Sequence, residues 1–218
     1  MNHLFLRAGR CLPVLLLLAT TIFAAAAPSS APRKRGKDDL VTITTPEGTI
    51  RLVLFDDTPL HKANFLRKAR TGFYDGTTFH RVIDNFMIQG GDANSKDADP
   101  TNDGQGRPDD PTIPAELGAG HRHDYGAVAA ARQDDFVNPQ RASSSSQFYL
   151  VENHGGTHRL DGQYTVYGQV IQGLDVIDKI AKLPKGDNDR PLANVPMKMK
   201  VERLKKKKIT KLYKYSYL

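Results

Sequence analysis

The chain of 218 residues has a single cysteine, Cys11, and no tryptophan. Cys11 lies ahead of an apolar N-terminal stretch. We therefore expect the rest of the protein to contain no disulfide, no thiolate nucleophile and no cysteine-ligated metal. The lack of further cysteines is compatible with an oxidising compartment but does not prove one.

Long hydrophobic runs are also scarce. The longest apolar stretch, residues 12–27, follows Arg7 and Arg10 and ends in four alanines. A membrane-spanning helix needs about 20 apolar residues, whereas a secretory signal needs fewer. We therefore interpret residues 1–26 as a cleaved signal peptide and expect an exported protein, either periplasmic or secreted. An uncleaved membrane anchor is the alternative interpretation.

The formal net charge of +7 arises at the two ends of the chain. When the twelve basic residues before residue 38 and after residue 204 are set aside, 19 basic residues remain against 24 acidic ones. We predict a flexible basic linker at residues 27–38, one globular domain at residues 39–204 and a basic tail at residues 205–218. An anionic membrane surface is a candidate partner of the tail. We expect no nucleic-acid partner, because exported proteins seldom meet nucleic acid.

Short strand-like segments dominate the globular part. Residues 41–45 and 50–55 flank a Pro-Glu-Gly turn, which predicts a hairpin. One helix is expected after Thr58, a candidate N-cap ahead of Pro59, and another at residues 174–181. Further apolar segments lie at residues 86–89, 126–131, 147–151, 164–170 and 195–204. Many strands with two isolated helices favour a mainly β protein with a closed antiparallel barrel over a parallel α/β sheet.

The most informative segment spans residues 79–92 and reads FHRVIDNFMIQGGD. In a pleated strand pair Arg81 and Ile83 share one face, and so do Met87 and Gln89, so alternate side chains project into a common groove. The groove then combines a permanently charged guanidinium with apolar side chains and a carboxamide. A site of this kind can hold a prolyl ring.

This segment resembles the signature of the cyclophilin family of peptidyl-prolyl cis/trans isomerases. Three further segments are similar to that family and follow in its order: GAVAAAR at residues 126–132, SQFYL at residues 146–150 and LDGQYTVYG at residues 160–168. Four motifs in one order make a specific match, whereas any one of them is weak. The resemblance implies a closed eight-stranded antiparallel β-barrel capped by two α-helices. It implies no cofactor and no metal, and we expect a monomer.

The resemblance also assigns site residues by position. Arg81 is the catalytic residue, and Phe86, Met87, Tyr149 and Leu160 form the prolyl pocket. The other predicted substrate-binding residues are His80, Gln89, Ala131, Arg132, Gln147 and Tyr164. Among these, Ala131 and Arg132 are expected to offer backbone groups to an extended peptide. The expected substrates are proline-containing unfolded or partly folded polypeptides.

Elementary chemistry explains why an arginine suits this reaction. Rotation about an X-Pro bond breaks amide resonance and crosses a barrier of ~18–20 kcal/mol. In the twisted transition state the prolyl nitrogen regains its lone pair, so a donor aimed at it binds the transition state better than the planar ground state. One charge-assisted hydrogen bond contributes ~1.5–3 kcal/mol, or roughly ten- to two-hundredfold in rate.

The chain departs from the family at several positions. Arg159 precedes Leu160 where family members that bind cyclosporin well often have tryptophan, so we expect weak cyclosporin binding. Tyr149 and Tyr164 stand where phenylalanine and histidine are common, and each keeps a flat apolar face. Ser145 replaces a common glycine, and a positive φ at that position would strain the loop or rearrange it.

Two other functions are alternatives to isomerisation. A prolyl-peptide binding or chaperone module with little turnover is one alternative, and a surface adaptor that works through its basic tail is another. The pairs His121 with His123 and His154 with His158 lie in loops without cysteine, so we expect no metal site there. Residues 99–110 roughly follow a calcium-loop register, but prolines interrupt it. The serines at residues 143–146 lack the setting of a hydrolase nucleophile.

Overall fold

The computed structural model of the protein describes residues 36–217. The predicted signal peptide and residues 27–35 of the predicted linker lie outside the described residues. Strand β1 (Lys37–Thr45) includes the last two linker residues, so the sheet begins two residues before the predicted domain boundary. Within residues 36–217, no helix combines the length and apolar character that a membrane crossing requires.

Antiparallel strands are the main regular structure of the described residues. They are β1 (Lys37–Thr45), β2 (Gly48–Leu54), β3 (Phe79–Ile83), β4 (Met87–Gly90), β5 (Thr112–Ile113), β6 (Ala127–Ala130), β7 (Ser143–Ser144), β8 (Phe148–Val151), β9 (Val166–Gln172) and β10 (Lys198–Lys205). Eight of them form one sheet in the order β10-β1-β2-β9-β6-β8-β4-β3, and β5 pairs with β7. The mainly β prediction and the β1–β2 hairpin are confirmed.

The sheet curls into a half-barrel, which differs from the closed barrel that the sequence predicted. Its edge strands β10 and β3 share no ladder, and an isolated bridge between Thr78 and Pro196 links the residues that precede them. Two backbone hydrogen bonds flank this bridge, from the Phe79 N–H to the Val195 carbonyl at 3.0 Å and from the Met197 N–H to the Thr77 carbonyl at 2.8 Å. Pro196 occupies the non-hydrogen-bonded position of this bridge, where an N–H is not needed, and the pairing does not continue into β3 and β10.

The described residues contain three α-helices rather than the two predicted: α1 (Pro59–Arg70), α2 (Leu174–Ala181) and α3 (Lys206–Tyr213). Helix α2 spans the predicted residues. Helix α1 begins at Pro59 as predicted, but the Thr58 side chain makes no capping hydrogen bond. Instead the carboxylate of Glu116 accepts hydrogen bonds from the N–H groups of Leu60 and His61, each at 3.0 Å. A distant carboxylate therefore satisfies the helix N-terminus.

A fully buried ammonium group joins α1 to the sheet. Lys62 Nζ donates to Asp38 Oδ1 at 3.0 Å, to Asp56 Oδ1 at 2.8 Å and to the Leu54 carbonyl at 2.6 Å. Three acceptors match the three donors of an ammonium group, so the buried charge is both paired and hydrogen-bonded.

The predicted basic tail folds as helix α3 against the outside of the sheet. Ile209 is fully buried and packs in one cluster with Leu40 and Val53. Lys206 Nζ lies 4.5 Å from the ring centroid of Tyr217, which extends the contact beyond the helix. Residues 206–213 of the tail thus form a helix that packs on the body through Ile209.

Strand alternation divides the buried residues between two faces of the sheet. On β8, Phe148 and Leu150 join the main core beneath the helices, whereas Tyr149 and Val151 join a second cluster on the opposite face. This second cluster is the floor of the candidate site.

Candidate active site

Arg81 and Met87 lie on the same face of the β3–β4 pair. Arg81 stands opposite Gln89, and Ile83 stands opposite Met87. The Arg81 side chain is 43% exposed, whereas Met87 is only 2% exposed. The guanidinium therefore lies above an apolar floor, as the alternation of the sequence predicted.

Strand β8 brings the distant part of the predicted site beside β4. Tyr149 pairs with Gln89 on one side and with Ala129 of β6 on the other. The apolar cluster on this face has the buried members Met87, Ala127, Ala129, Tyr149, Val151 and Val166, and the partly buried members Phe55, Ile83, Phe86, Ala131, Leu160 and Tyr164. All four predicted pocket residues are therefore in one cluster.

A polar rim borders this cluster. Gln89 Nε2 donates to Gln147 Oε1 at 2.9 Å, and Gln147 Nε2 donates to the Gly104 carbonyl at 3.0 Å. From this pair a groove with a volume of about 680 Å³ extends between the loops around residues 104–112 and 131–144. The two predicted carboxamides thus lie side by side where the apolar cluster meets the groove.

The Ala131 backbone and the Arg132 side chain form hydrogen bonds within the protein. The Ala131 N–H donates to the Gln147 carbonyl at 3.1 Å, and its carbonyl accepts from the Ser144 N–H at 2.8 Å. Both backbone polar groups of Ala131 are therefore already hydrogen-bonded within the protein. The Arg132 side chain donates to the Gln163 carbonyl at 2.9 Å and covers the Tyr164 ring at 4.4 Å from its centroid.

The carboxylate of Asp189 approaches Arg81. Arg81 Nε lies 3.8 Å from Asp189 Oδ2, and both side chains are about two-fifths exposed. Asp189 has a φ of 58° in the 3-10 turn Asp187–Asp189. An exposed ion pair of this kind contributes at most about 1 kcal/mol. Asp189 can therefore influence the orientation of the Arg81 side chain without cancelling its positive charge. No pattern near residue 189 in the sequence indicated this contact.

These features agree with the comparison to known proteins. A family model described as "Cyclophilin type peptidyl-prolyl cis-trans isomerase/CLD" matches residues 40–201. The chain belongs to this cyclophilin family. The family and the relatives below are peptidyl-prolyl cis-trans isomerases, which are enzymes, so the cyclophilin described here is an enzyme of that type.

Over the aligned residues, bacterial and eukaryotic relatives are about one-third identical to this cyclophilin. "Peptidyl-prolyl cis-trans isomerase A" of Dickeya dadantii is 35% identical over 162 residues, which cover 72% of this chain and 78% of that protein. The "Peptidyl-prolyl cis-trans isomerase" of Acinetobacter baylyi is 36% identical over 151 residues, or 66% of this chain and 73% of that one. The longer "Peptidyl-prolyl cis-trans isomerase-like 2" of Rhizopus delemar is 34% identical over 169 residues, which are 76% of this chain but 29% of its own length.

Solved structures agree with the fold. A cyclophilin-type isomerase of Cryptosporidium parvum gives a TM-score of 0.64 at 24% identity and covers 76% of this chain and 98% of its own. The same protein in the presence of the dipeptide Ala-Pro gives a TM-score of 0.63 at 24% identity, covering 75% of this chain and 98% of its own. At this level of identity the likeness shows the fold alone.

In this cyclophilin His80 lies behind the groove, not among the pocket side chains. It is 5% exposed, and a Cβ atom added at Gly104 would lie 3.1 Å from its Nε2 atom. Burial lowers the pKa of His80, although the carboxylates of Asp92 and Asp103 oppose that effect. His80 packs against Gly104, and the Gly104 carbonyl accepts the hydrogen bond from Gln147 Nε2.

A buried histidine that the prediction missed supports the pocket floor. His123 is fully buried, and its Nε2 atom lies 2.9 Å from the Tyr149 hydroxyl. Asp161 Oδ1 accepts both from Nδ1 and from the backbone N–H of His123, each at 2.8 Å. A carboxylate accepts only, so Nδ1 carries the proton. Burial lowers the pKa of His123 below its usual value despite Asp161, so the ring is neutral and its Nε2 atom accepts a hydrogen bond from the Tyr149 hydroxyl.

The sequence departures have local explanations. Ser145 does not have positive φ; Arg141, at 55°, is the non-glycine residue of that loop in the left-handed region. The predicted strain at Ser145 is therefore absent, and its carbonyl accepts a hydrogen bond from Asn64 Nδ2 at 2.6 Å. Arg159 places its guanidinium carbon 4.6 Å from the Phe86 ring centroid, so a cation covers one wall of the pocket.

Proposed function

We propose that this cyclophilin accelerates X-Pro isomerisation through a hydrogen bond from Arg81 to the prolyl nitrogen of the twisted transition state. One observation carries the proposal: the Arg81 guanidinium stands opposite Gln89 on the same face as the buried Met87. A prolyl ring seated on the apolar cluster would present its nitrogen toward this rim. Arginine stays protonated throughout, so the reaction needs no proton transfer.

The apolar floor contributes in a second way. Met87, Tyr149 and Val166 are almost fully buried, and the partly buried side chains of Phe86 and Leu160 stand beside them. A prolyl ring packed on this cluster loses water, which destabilises the polar planar amide relative to the twisted form. Contacts on one side of the bond also hold the chain while the other side rotates.

The proposed substrates are proline-containing polypeptides in extended form. The C. parvum relative has been solved in the presence of the dipeptide Ala-Pro. In this chain the groove of about 680 Å³ beyond Gln89 and Gln147 leaves room for residues next to the proline. The apolar stretch at residues 12–27 supports export, which would make secreted or periplasmic proteins the clients during folding.

The test is a proline-peptide isomerisation assay on wild type, Arg81→Ala and Arg81→Lys. Arg67→Ala is the matched control, because Arg67 is exposed on α1 and donates only to Asn64 nearby. We expect Arg81→Ala to lower kcat/KM by roughly ten- to two-hundredfold, which corresponds to one charge-assisted hydrogen bond. Arg81→Lys should restore part of the loss, since an ammonium group donates but lacks the planar fork.

Peptide binding separates this mechanism from a binding module with little turnover. If Arg81→Ala retains wild-type kcat/KM while circular dichroism shows both proteins folded, the arginine mechanism is wrong. If wild type binds a proline peptide but does not accelerate its isomerisation, the protein is a prolyl-peptide binding module.

A further inference from the structure

Three metal-ligating side chains from two segments of the chain meet on the side of the domain where β8 ends. Glu152 and His154 follow β8, and Asp178 lies on helix α2. One ligand atom from each residue lies within 4.8 Å of those from the other two. We propose that Glu152, His154 and Asp178 bind a divalent transition-metal ion, with zinc as the ion to test.

Two of the three ligands already have suitable spacing. His154 Nε2 lies 3.2 Å from both Asp178 Oδ1 and Asp178 Oδ2. Zinc bonds of ~2.0–2.2 Å in tetrahedral geometry separate neighbouring ligand atoms by about 3.3 Å. The Glu152 ligand atom lies at most 4.8 Å from the others, so it would need to approach by no more than about 1.5 Å. The 67% exposure of the His154 side chain leaves it free to turn toward the ion.

Glu152 supplies an independent indication that a cation belongs here. The residue is 2% exposed, and its Oε2 atom is buried without a hydrogen-bond partner. An ion pair between His154 and Asp178 alone leaves this oxygen unsatisfied, whereas a cation shared by all three residues satisfies it.

The surroundings also orient the proposed ligands. The Tyr125 hydroxyl donates to Asp178 Oδ1 at 2.7 Å, and the Tyr125 ring stacks on His154 with centroids 4.1 Å apart. The backbone N–H groups of Glu152 and Asn153 donate to the Phe86 carbonyl at 2.9 and 3.3 Å. Supporting contacts of this kind hold metal ligands in place. The last two also connect the proposed site to the turn that carries a wall of the prolyl pocket.

The donor set favours a transition ion over calcium or magnesium. Imidazole nitrogen with two carboxylates suits Zn²⁺ and its neighbours, whereas Ca²⁺ and Mg²⁺ prefer oxygen ligands alone. The sequence places His154 close to His158, but His158 is not part of the proposed site. Its Nδ1 atom lies 3.1 Å from Asp161 Oδ2. The proposed partners of His154 are Glu152, two residues before it, and Asp178 on α2.

Isothermal titration of the full-length protein without a histidine tag, with zinc chloride after chelator treatment, tests the proposal. We expect one site, and we expect Glu152→Gln, His154→Ala and Asp178→Asn each to weaken zinc binding at least about tenfold. His121→Ala is the matched control, because His121 Nε2 forms a comparable pair with Asp57 at 2.9 Å and should not affect binding. Zinc at about a hundred times its Kd should raise the wild-type Tm by roughly 5–10 °C.

Different outcomes overturn the proposal at different points. Zinc binding that Glu152→Gln leaves unchanged would mean adventitious binding to surface histidines. Equal losses in His121→Ala and His154→Ala would mean the same. His154 is exposed whereas Glu152 is buried, so we expect His154→Ala to fold normally. If the folded His154→Ala protein binds zinc with wild-type affinity, the proposed site is wrong.

Discussion

Replacement of Tyr149 by phenylalanine tests the buried contact that supports the pocket floor. The substitution keeps the ring in the apolar cluster and removes only the hydroxyl that donates to His123 Nε2 at 2.9 Å. Because His123 is fully buried, its acceptor nitrogen cannot turn to water. We expect Tyr149→Phe to lower the free energy of unfolding and to leave isomerase activity within a few-fold of wild type.

The magnitude follows from the environment of the bond. A buried acceptor left without its donor costs about 1–3 kcal/mol. The loss of a hydroxyl from a side chain only 5% exposed offsets part of this, because that hydroxyl no longer has to be desolvated. A net cost of about 1–2 kcal/mol corresponds to a Tm lower by roughly 2–8 °C in a protein of this size.

Chemical denaturation of four proteins measures the effect as a double-mutant cycle: wild type, Tyr149→Phe, His123→Ala and the double variant. If the bond carries the cost, Tyr149→Phe should be nearly neutral in the His123→Ala background, with a coupling energy of about 0.5–3 kcal/mol. Tyr164→Phe is the matched control. Tyr164 lies in the same cluster, 6.1 Å from Tyr149, and its hydroxyl makes no hydrogen bond within residues 36–217.

An additive cycle would refute this reasoning, because it would mean that the hydroxyl and the imidazole do not depend on each other. A Tyr164→Phe cost equal to that of Tyr149→Phe would refute it as well. A large loss of activity in a stable Tyr149→Phe protein would instead place the hydroxyl in substrate binding.

Two further predictions follow from the buried residues. Ile209→Ala should lower the free energy of unfolding, measured with urea, by about 2–5 kcal/mol, because Ile209 is fully buried against Leu40 and Val53. Leu212 is 53% exposed on the same helix, so Leu212→Ala should change that free energy by no more than about 0.5 kcal/mol. Similar values for both variants would mean that α3 does not pack on the sheet. Burial lowers the pKa of His61, His80 and His123 in the folded protein. Below about pH 6.5 the unfolded chain therefore binds more protons than the folded one, and the free energy of unfolding decreases as the pH is lowered. Urea midpoints between pH 8 and pH 5.5 should show this loss, with a slope of at most about 4 kcal/mol per pH unit, and a constant stability would contradict it.

Local periodicity determined much of the fold and half of the site. The alternation in residues 79–92 placed Arg81, Met87 and Gln89 on one face, and the structure confirms that face because a pleated strand has a fixed period of two. Periodicity also predicted helix α2, because its apolar residues recur at the helical period of 3.6 residues. The four ordered motifs were sufficient for the family.

Tertiary structure decided which distant groups those faces meet. The periodicity of residues 206–213 is helical, but only the buried side chains of Leu40 and Val53 give Ile209 a surface on which to pack. Likewise, nothing near Tyr149 in the sequence indicates His123, because register across β6 and β8 and the loop before β6 bring them together. The half-barrel edge at Pro196 and the Glu116 carboxylate at the start of α1 are further cases. A repeating pattern specifies the direction of a side chain, whereas its partner depends on how the whole chain closes on itself.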